Sequence, residues 1–211
     1  MRFDIITIFP NILDSYFNES ILKRAGKNGL VEIKTHNLRD FTDDKHHKVD
    51  ESPYGGGPGM VFKVEPIEQA VKSVKKQAGN KKSRVILFSL RGEKFDQKIA
   101  HRLVKYDQLI FICGRYEGVD ERVAEYIADE EISIGDYVLS GGELPAAIVT
   151  EAVSRLVKGV LGKHDSLEEF KGSYPVYTKP EIVKIKGKNR KVPDVLLSGD
   201  HKKIEEWRNK R

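Results

Sequence analysis

A regular alternation of strand-like and helical stretches is the sequence feature that most restricts the fold of this chain. Apolar, β-branched runs are followed by stretches in which apolar residues recur every three or four positions. The predicted strands cover residues 2–9, 31–36, 84–90, 108–113 and 131–134, and the predicted helices cover residues 11–26, 94–105, 119–128 and 143–158, with a further one from Pro66. Strands that alternate with helices predict an α/β fold with a mainly parallel sheet and helices on both faces.

Composition limits the classes of protein to which the chain can belong. No apolar run approaches the roughly 20 residues of a membrane span. The first residues lack the pattern of a signal peptide, so we expect a cytoplasmic protein without membrane association. The single cysteine, Cys113, ends the apolar run 109–113, which favours a core position over a catalytic thiol.

Positive charge is concentrated at the end of the chain. Residues 179–211 hold 11 Lys or Arg and 5 Asp or Glu, a net charge of +6; the whole chain carries +5, so the other 178 residues carry −1. A basic end predicts phosphate contacts, and a solvated lysine-rich surface is the alternative. We therefore expect an α/β domain at residues 1–162, a polar linker at 163–178 and a short basic, partly helical appendage at 179–211.

Residues 132–146 combine features of a ligand site. An apolar, strand-like segment runs into Gly141 and Gly142, and Glu143 and Pro145 then fit the start of a helix. Glycine allows close approach of backbones, and a sheet edge that turns into a helix N-terminus offers free N–H groups to a small polar ligand. An ordinary tight turn is the alternative interpretation of the same residues.

The segment ISIGDYVLSGGELPA at residues 132–146 resembles the central motif of the bacterial tRNA (guanine-N1)-methyltransferases. Three other stretches resemble the same family in the same order: SPYGGGPGM at residues 52–60, CGRYEGVDER at 113–122 and VLLSG at 195–199. Four motifs in order over nearly the whole chain are a specific signal. The resemblance implies methyl transfer from S-adenosylmethionine to N1 of the guanosine just 3′ of the anticodon, at position 37 of tRNA.

The resemblance also implies a SPOUT-type trefoil knot at the end of the α/β domain, with S-adenosylmethionine bent inside it. Motif matching predicts a cofactor pocket formed by Ser89, Gly114, Ile134, Gly135, Asp136, Tyr137, Val138, Leu139, Gly141, Gly142 and Pro145. The family's usual proline after Ser89 is Leu90 in this chain. For each glycine, simple turn formation is the alternative interpretation.

Methylation of guanine N1 requires removal of the N1 proton and stabilisation of the negative charge that develops toward O6. The resemblance implies that Asp165 is the base and that Arg155 lies near O6. Glu168 and Glu169 are alternative bases, and Asp165 can instead cap a short helix.

Further residues are assigned to tRNA by the resemblance. They are Asp50, Arg115, Tyr116 and Glu117 in the α/β domain and Lys202, Lys203 and Arg208 in the basic appendage. The family also implies a homodimer in which two subunits share each active site. Rival functions are a catalytically weak or inactive tRNA-binding module, a knotted methyltransferase for another RNA position, and a small-molecule α/β enzyme.

No stretch of the sequence fixes a metal site. His46 and His47 lie among carboxylates, but their spacing matches no common zinc pattern, which favours a charged loop. The glycines at residues 55–59 are not followed by the Gly-Lys-Ser/Thr of a triphosphate-binding loop. The resemblance admits Mg²⁺ as a second cofactor held by transient ligands.

Overall fold

The computed structural model describes residues 1–161 and 174–209, and the chain divides into two compact units, Met1–Leu161 and Gly162–Arg211. The strands of the first unit are β1 (Arg2–Thr7), β2 (Glu32–Asn37), β3 (Asp50–Glu51), β4 (Val61–Phe62), β5 (Ser83–Lys94), β6 (Gln108–Ile112) and β7 (Glu130–Ser133). Its helices are α1 (Asp14–Phe17), α2 (Ser20–Lys27), α3 (Val64–Ala78), α4 (Gln97–Leu103), α5 (Glu121–Tyr126) and α6 (Glu143–Leu156), with a 3-10 helix at Leu38–Phe41.

A parallel sheet forms the centre of the first unit. Its strand order is β2-β1-β6-β5-β7, and every neighbouring pair is parallel. Strands β3 and β4 form a separate antiparallel pair. The predicted α/β class with a mainly parallel sheet is confirmed. Because the five strands run the same way, their carboxyl ends meet at one edge, where ligands bind in open α/β sheets.

Side chains that alternate along the strands supply two hydrophobic clusters, one on each face of the sheet. Phe3 and Phe111 belong to a cluster with residues of α2, α4 and α6. Ile6, Ile110 and Ile112 belong to a cluster with residues of α3 and α5. The two-residue period of a strand sends neighbours to opposite faces. Both faces of the central strands are therefore buried under helices.

Strand β5 continues four residues beyond the predicted end at residue 90. Its register with β7 shifts between Phe88 and Glu93. A Cβ at Gly92 would lie 2.6 Å from the carbonyl carbon of Glu131 and from the nitrogen of Ile132, so the backbones approach too closely for any side chain. The prediction ended the strand at residue 90 because the charged residues that follow are typical of a loop.

The helix predicted at residues 11–26 is in fact two helices, α1 and α2. The Asn18 side chain folds back on α1, where its Nδ2 donates to the carbonyl of Asp14, the first residue of α1, at 2.8 Å. Ser20 then has a φ of 50°, in the left-handed region. The apolar spacing continues across the break, so periodicity alone gave one helix.

The second unit contains a hairpin and two helices, β8 (Ile182–Ile185), β9 (Lys188–Lys191), α7 (Asp194–Leu197) and α8 (His201–Asn209). Lys186 and Gly187 have φ values of 49° and 75° and form the turn between β8 and β9, as a two-residue loop between right-twisted strands requires. The rings of Tyr177 and Trp207 lie 6.3 Å apart. Within residues 1–161 and 174–209, no helix is long and apolar enough to cross a membrane.

Candidate active site

A cavity of about 460 Å³ lies at the carboxyl edge of the sheet. The segments that follow β6 and β7, the bulged end of β5, and the first turn of α6 form its wall. It is lined by residues 87–91, 114–119, 121, 124, 131–135, 137–142 and 145. This volume is within the range of small-molecule and cofactor sites, about 300 to 1,000 Å³.

Close backbone contact joins the segment after β6 to the segment before α6. Gly142 donates its N–H to the Gly114 carbonyl at 3.0 Å, and Arg115 forms an antiparallel bridge with Gly141. A Cβ at Gly142 would lie 2.7 Å from the Cα of Cys113. Only glycine fits this contact, so the two glycines bring the two segments together as one wall of the cavity.

The segment after β7 folds back on itself at Gly135. Gly135 has a φ of 149°, and a Cβ there would overlap the ring of Tyr137. The Tyr137 hydroxyl donates to the Ile134 carbonyl at 3.3 Å, and the Gly135 N–H donates to the Ser133 hydroxyl at 3.3 Å. These local bonds hold the backbone from Ile134 to Tyr137 in one compact turn at the mouth of the cavity.

A buried carboxylate anchors Arg115 beside the cavity. Glu143, the first residue of α6, is 1% exposed. Its Oε1 accepts the Thr7 hydroxyl at 2.6 Å, and its Oε2 accepts Arg115 Nε at 3.0 Å. The Arg115 guanidinium also lies over the Phe9 ring, 4.8 Å from its centroid. A charge buried to this degree is stable only when it is paired and hydrogen-bonded, as it is here.

Tyr116 and Glu117 extend the wall toward the glycine-rich loop. Tyr116 has a φ of 58° and is 56% exposed, and its ring packs edge-on against Phe62 at 5.8 Å. The Glu117 N–H donates to the Met60 carbonyl at 3.1 Å. A Cβ at Gly59 would lie 2.6 Å from Glu117 Oε1, so the glycine lets the loop lie against this carboxylate. A non-glycine residue with positive φ is characteristic of functional sites.

Three charged residues that sequence reasoning missed line the opposite wall. Arg91 donates Nη2 to Glu121 Oε1 at 2.6 Å and Nε to Glu131 Oε2 at 3.1 Å. The paired carboxylates raise the pKa of the exposed Arg91 guanidinium. The cluster joins the end of β5 to α5 and β7. Its members lie in three separate elements of the structure, and Arg91 lies just beyond the predicted strand at 84–90, so no local signal links them.

The whole sequence, residues 1–211, matches the family described as tRNA (Guanine-1)-methyltransferase TrmD. The chain belongs to this family. It is 56% identical to a tRNA (guanine-N(1)-)-methyltransferase of Dictyoglomus turgidum over 100% of this chain and 84% of that protein. A protein of the same name from Carboxydothermus hydrogenoformans is 50% identical over 100% of this chain and 82% of the relative.

A solved TrmD-type structure has the same fold. The crystal structure of tRNA (m1G37) methyltransferase from Aquifex aeolicus matches with a TM-score of 0.81 and 46% sequence identity, over 98% of this chain and 87% of that chain. The resemblance to tRNA (guanine-N1)-methyltransferases is thereby confirmed, and the chain is an enzyme of the TrmD family.

The structure brings together most residues that the TrmD resemblance assigns to the cofactor. All of them line the cavity except Asp136. The Asp136 carboxylate is instead paired with Lys94 Nζ at 2.7 Å, and its side chain is 83% exposed. The roles of the other ten as cofactor ligands stay predictions.

The residues assigned to tRNA are divided between the two units. Arg115, Tyr116 and Glu117 line the cavity, whereas Asp50 lies on β3. The predicted cations of the appendage lie on α8, in the second unit: Lys202, Lys203 and Arg208.

Arg155, one of the two predicted catalytic residues, is not among the residues that line the cavity. Arg155 lies in the last turn of α6, ten residues beyond the lining residue Pro145. At a rise of about 1.5 Å per residue, this separates them by about 15 Å along the helix. Asp165 and its alternatives, Glu168 and Glu169, lie outside the described residues.

In residues 1–161 and 174–209, no group of three or more His, Cys, Asp or Glu side chains could hold a metal ion. Asp44 Oδ1 accepts the N–H groups of His46 and Lys48, at 2.8 and 3.1 Å. These backbone hydrogen bonds lower the pKa of Asp44, with that of Lys48 the larger influence. Asp44 therefore organises a turn in the charged loop.

Cys113 is a core residue. It is 2% exposed, and its burial raises the pKa of the thiol well above its ordinary value. A reactive cysteine needs an accessible thiolate, and this environment disfavours one. The predicted core position is confirmed.

Proposed function

We propose that this chain transfers a methyl group from S-adenosylmethionine to N1 of the guanosine at position 37 of tRNA. The observation that carries the proposal is the cavity at the carboxyl edge of the sheet. Much of its wall comes from two segments that resemble the family motifs, residues 113–122 and 132–146, which are joined by the Gly142–Gly114 hydrogen bond. In the proposal, this contact is part of the trefoil knot that the family implies.

The cavity fits the methyl donor in size and in chemistry. A volume of about 460 Å³ accommodates a nucleoside with an amino-acid arm. The space at Gly114 would be filled by a side chain, since a Cβ there would lie 3.2 Å from Val119 Cγ1. A glycine-lined wall presents backbone N–H and carbonyl groups to the adenine and ribose. S-adenosylmethionine, when bound, supplies an electrophilic methyl group on a positively charged sulfur.

The protein's part in the reaction is proton removal and charge stabilisation. Asp165 takes the N1 proton, which frees the lone pair that forms the new N–C bond as the S–C bond breaks. Arg155 lies at O6 and stabilises the negative charge that develops there. The electron pair of the broken bond stays on sulfur, which becomes a neutral thioether, and the proton stays on the carboxylate. Mg²⁺ can assist through transient ligands.

Arg155 supports an active site shared between two subunits. It lies about 15 Å along α6 from the cavity wall at Pro145. An arginine side chain is too short to cover this distance. In the proposal, Arg155 and Asp165 therefore act on a guanosine bound at the cavity of a second copy of the chain.

An exposed apolar surface supports the same arrangement. We define the α6 patch as Phe9, Ile12, Tyr16, Leu144 and Ile148, whose exposed fractions are between 45% and 58%. The Tyr16 hydroxyl contacts the Glu151 carboxylate, and Leu144, Ile148 and Glu151 lie on one face of α6. Contiguous apolar surface of this kind marks an interface. We assign it to the homodimer contact.

The second unit supplies tRNA contacts in the proposal. Helix α8 carries Lys202, Lys203 and Arg208, and the Arg208 guanidinium lies 4.5 Å from the ring centroid of Tyr174. Lysine and arginine bind RNA phosphates with a strong dependence on salt. This unit would hold the tRNA while the cavity holds the methyl donor.

The direct test is methyl transfer from labelled S-adenosylmethionine to unmodified tRNA, followed by mapping of the modified base. Label at N1 of guanosine 37 supports the proposal. Label at another position would identify a methyltransferase for a different RNA site. Tight tRNA binding without label would identify a binding module.

Two variants test the assigned chemistry. Asp165→Asn should retain S-adenosylmethionine affinity by calorimetry but lower kcat by about two orders of magnitude or more, the usual contribution of a general base. Full turnover would reject Asp165 as the base, and Glu168→Gln and Glu169→Gln would then be compared.

Mixing Asp165→Asn with Gly141→Val subunits should recover part of the activity if the sites are shared, and no recovery would contradict shared sites.

A further inference from the structure

Glu143 is a buried carboxylate that joins three elements at the cavity. Its side chain is 2% exposed, and it accepts the Thr7 hydroxyl at 2.6 Å and Arg115 Nε at 3.0 Å. Thr7 is the last residue of β1, Arg115 follows β6, and Glu143 begins α6. The Thr7 hydroxyl also accepts the Phe9 N–H at 3.0 Å. Each hydroxyl and carboxylate in this chain of bonds has a definite partner.

Arg115 is held through one nitrogen only. In the part of the chain that the structure describes, no hydrogen bond or ion pair uses its Nη1 or Nη2. One face of the guanidinium lies over Phe9 at 4.8 Å. A guanidinium fixed through Nε keeps its two terminal nitrogens as a planar pair of donors, suited to bidentate recognition of oxygen acceptors.

The cost of burying an unpaired carboxylate keeps Arg115 beside Glu143. A buried carboxylate without its cation is strongly unfavourable, so Arg115 cannot leave Glu143 without a large cost. Gly141 provides the space for the contact, because a Cβ there would overlap Arg115 Nε and lie 2.6 Å from Glu143 Oε2. Arg115 is therefore arranged before any substrate binds.

We propose that Glu143 and Thr7 are positioning residues that hold Arg115 so that Nη1 and Nη2 bind oxygen atoms of the RNA substrate at the cavity mouth. The proposal rests on the proposed function, because it assigns the RNA end of the same site. The oxygen acceptors belong either to a phosphate or to the guanine edge, and these two sources are separable by experiment. The donor pocket itself does not depend on this contact.

The test compares two threonine-to-valine substitutions at buried sites, one at Thr7 at the end of β1 and a control at Thr150 on α6. Thr7→Val removes the hydroxyl that orients Glu143. Thr150→Val removes a buried hydroxyl on α6 that has no hydrogen-bond partner among residues 1–161 and 174–209. We expect Thr7→Val to raise the KM for tRNA about tenfold, the typical effect of losing a hydrogen bond to a charged group. S-adenosylmethionine affinity by calorimetry should stay within about twofold, and Thr150→Val should change neither quantity by more than this.

Two further variants separate positioning from simple packing. Thr7→Ser keeps the hydroxyl, so its KM for tRNA should be close to the wild-type value and well below that of Thr7→Val. Arg115→Lys keeps a cation for Glu143 but lacks the planar donors, so it should weaken tRNA binding while the protein stays folded. In the Arg115→Lys background, Thr7→Val should add less than about twofold, since the group it positions is gone.

The dependence of tRNA binding on salt identifies the acceptor. The relevant quantity is the slope of log K for tRNA binding against log salt concentration. If Arg115 binds a phosphate, Arg115→Lys retains the charge and this slope, and Arg115→Gln lowers the magnitude of the slope by about 0.7 for single-stranded RNA. If Arg115 binds the guanine edge, both variants keep the wild-type slope and lose affinity.

Three outcomes would overturn the positioning role. They are equal tRNA KM values for Thr7→Val and Thr150→Val, a parallel loss of donor affinity in Thr7→Val, or full additivity with Arg115→Lys. A wild-type protein that does not methylate tRNA would instead contradict the proposed function, so the two failures are distinguishable.

Discussion

Two buried carboxylates, Asp4 at one end of the sheet and Glu143 at the other, are each paired with an arginine. The two pairs differ in how many of the arginine's N–H groups already have a partner. Asp4, on β1, accepts two hydrogen bonds from Arg2 at 2.7 Å each, one from Gln108 at 2.7 Å, and contacts His36 Nε2 at 2.7 Å. Arg2 is only 5% exposed. At the other end of the sheet, Glu143 holds Arg115 through Nε, and Nη1 and Nη2 have no hydrogen-bond partner among the described residues.

The difference follows the direction of the strands. Arg2 and Gln108 are the first residues of β1 and β6, so the closed network of Asp4 lies toward the amino ends. Thr7 is the last residue of β1, so the open network of Glu143 lies at the carboxyl ends. In parallel sheets ligands bind at the carboxyl ends. The closed network serves stability, and the open one leaves donors for a ligand.

Removing the closed network should have the largest effect on stability. Asp4→Ala leaves the Arg2 guanidinium buried without its carboxylate, so the free energy of unfolding should fall by about 3 to 5 kcal/mol. Urea unfolding measures this loss. Glu68→Gln is the control, because Glu68 pairs with Lys72 at an exposed site on α3 and should cost at most about 1 kcal/mol. Equal losses in both variants would contradict a stabilising role for the closed network.

Crowding the open network should chiefly reduce activity. Gly141→Ala places a Cβ against Arg115 Nε and Glu143 Oε2, so Arg115 must move. We expect kcat/KM for tRNA to fall by about tenfold to a hundredfold, the effect of misplacing a substrate-positioning group. Gly26→Ala is the matched control: its nearest atom would be the Val31 carbonyl oxygen at an ordinary 3.8 Å. Unchanged kcat/KM in Gly141→Ala would show that the open network is not needed for tRNA.

Sequence reasoning predicted more of the open region than of the closed one. The glycine motifs identified Gly114, Gly141 and Gly142, and at Gly142 close contact with the Cys113 backbone restricts the position to glycine. The strand and helix periodicity gave the parallel α/β class. Neither signal contained the strand order β2-β1-β6-β5-β7, which depends on long-range pairing that a periodic pattern does not encode.

The long-range hydrogen bonds of the two networks could not be predicted, because their partners are distant in sequence. Thr7 and Glu143 are 136 residues apart, and Asp4 and Gln108 are 104 apart. Glu143 was identified only as the start of a helix. A carboxylate and an arginine in two family motifs that both follow strands were the available hint of the Glu143–Arg115 pair.

The closed network should also appear in the pH dependence of stability. Burial acts to raise the pKa of Asp4, but the hydrogen bonds from His36, Arg2 and Gln108 outweigh it and lower the pKa. A lowered pKa in the folded state stabilises the protein above the ordinary carboxyl pKa, and this stability is lost as the pH falls through the folded value. The difference in unfolding free energy between the wild type and Asp4→Asn should therefore shrink as the pH is lowered from 7 toward 3. A constant difference would contradict this linkage.

The smallest effect is expected at Cys113, which follows β6 beside the open network but belongs to the core. Burial raises the pKa of its thiol, the nearby Glu143 carboxylate adds to this, and Arg115 opposes it. The native protein should resist alkylation by iodoacetamide, whereas the urea-unfolded protein should react fully. Cys113→Ala keeps the Cα against which Gly142 packs, so kcat should stay within about twofold, as for a substitution outside the reacting groups. Rapid alkylation of the native thiol, or a large loss of kcat, would contradict the core position of Cys113. The accessible site around Arg115 would then include Cys113 as well.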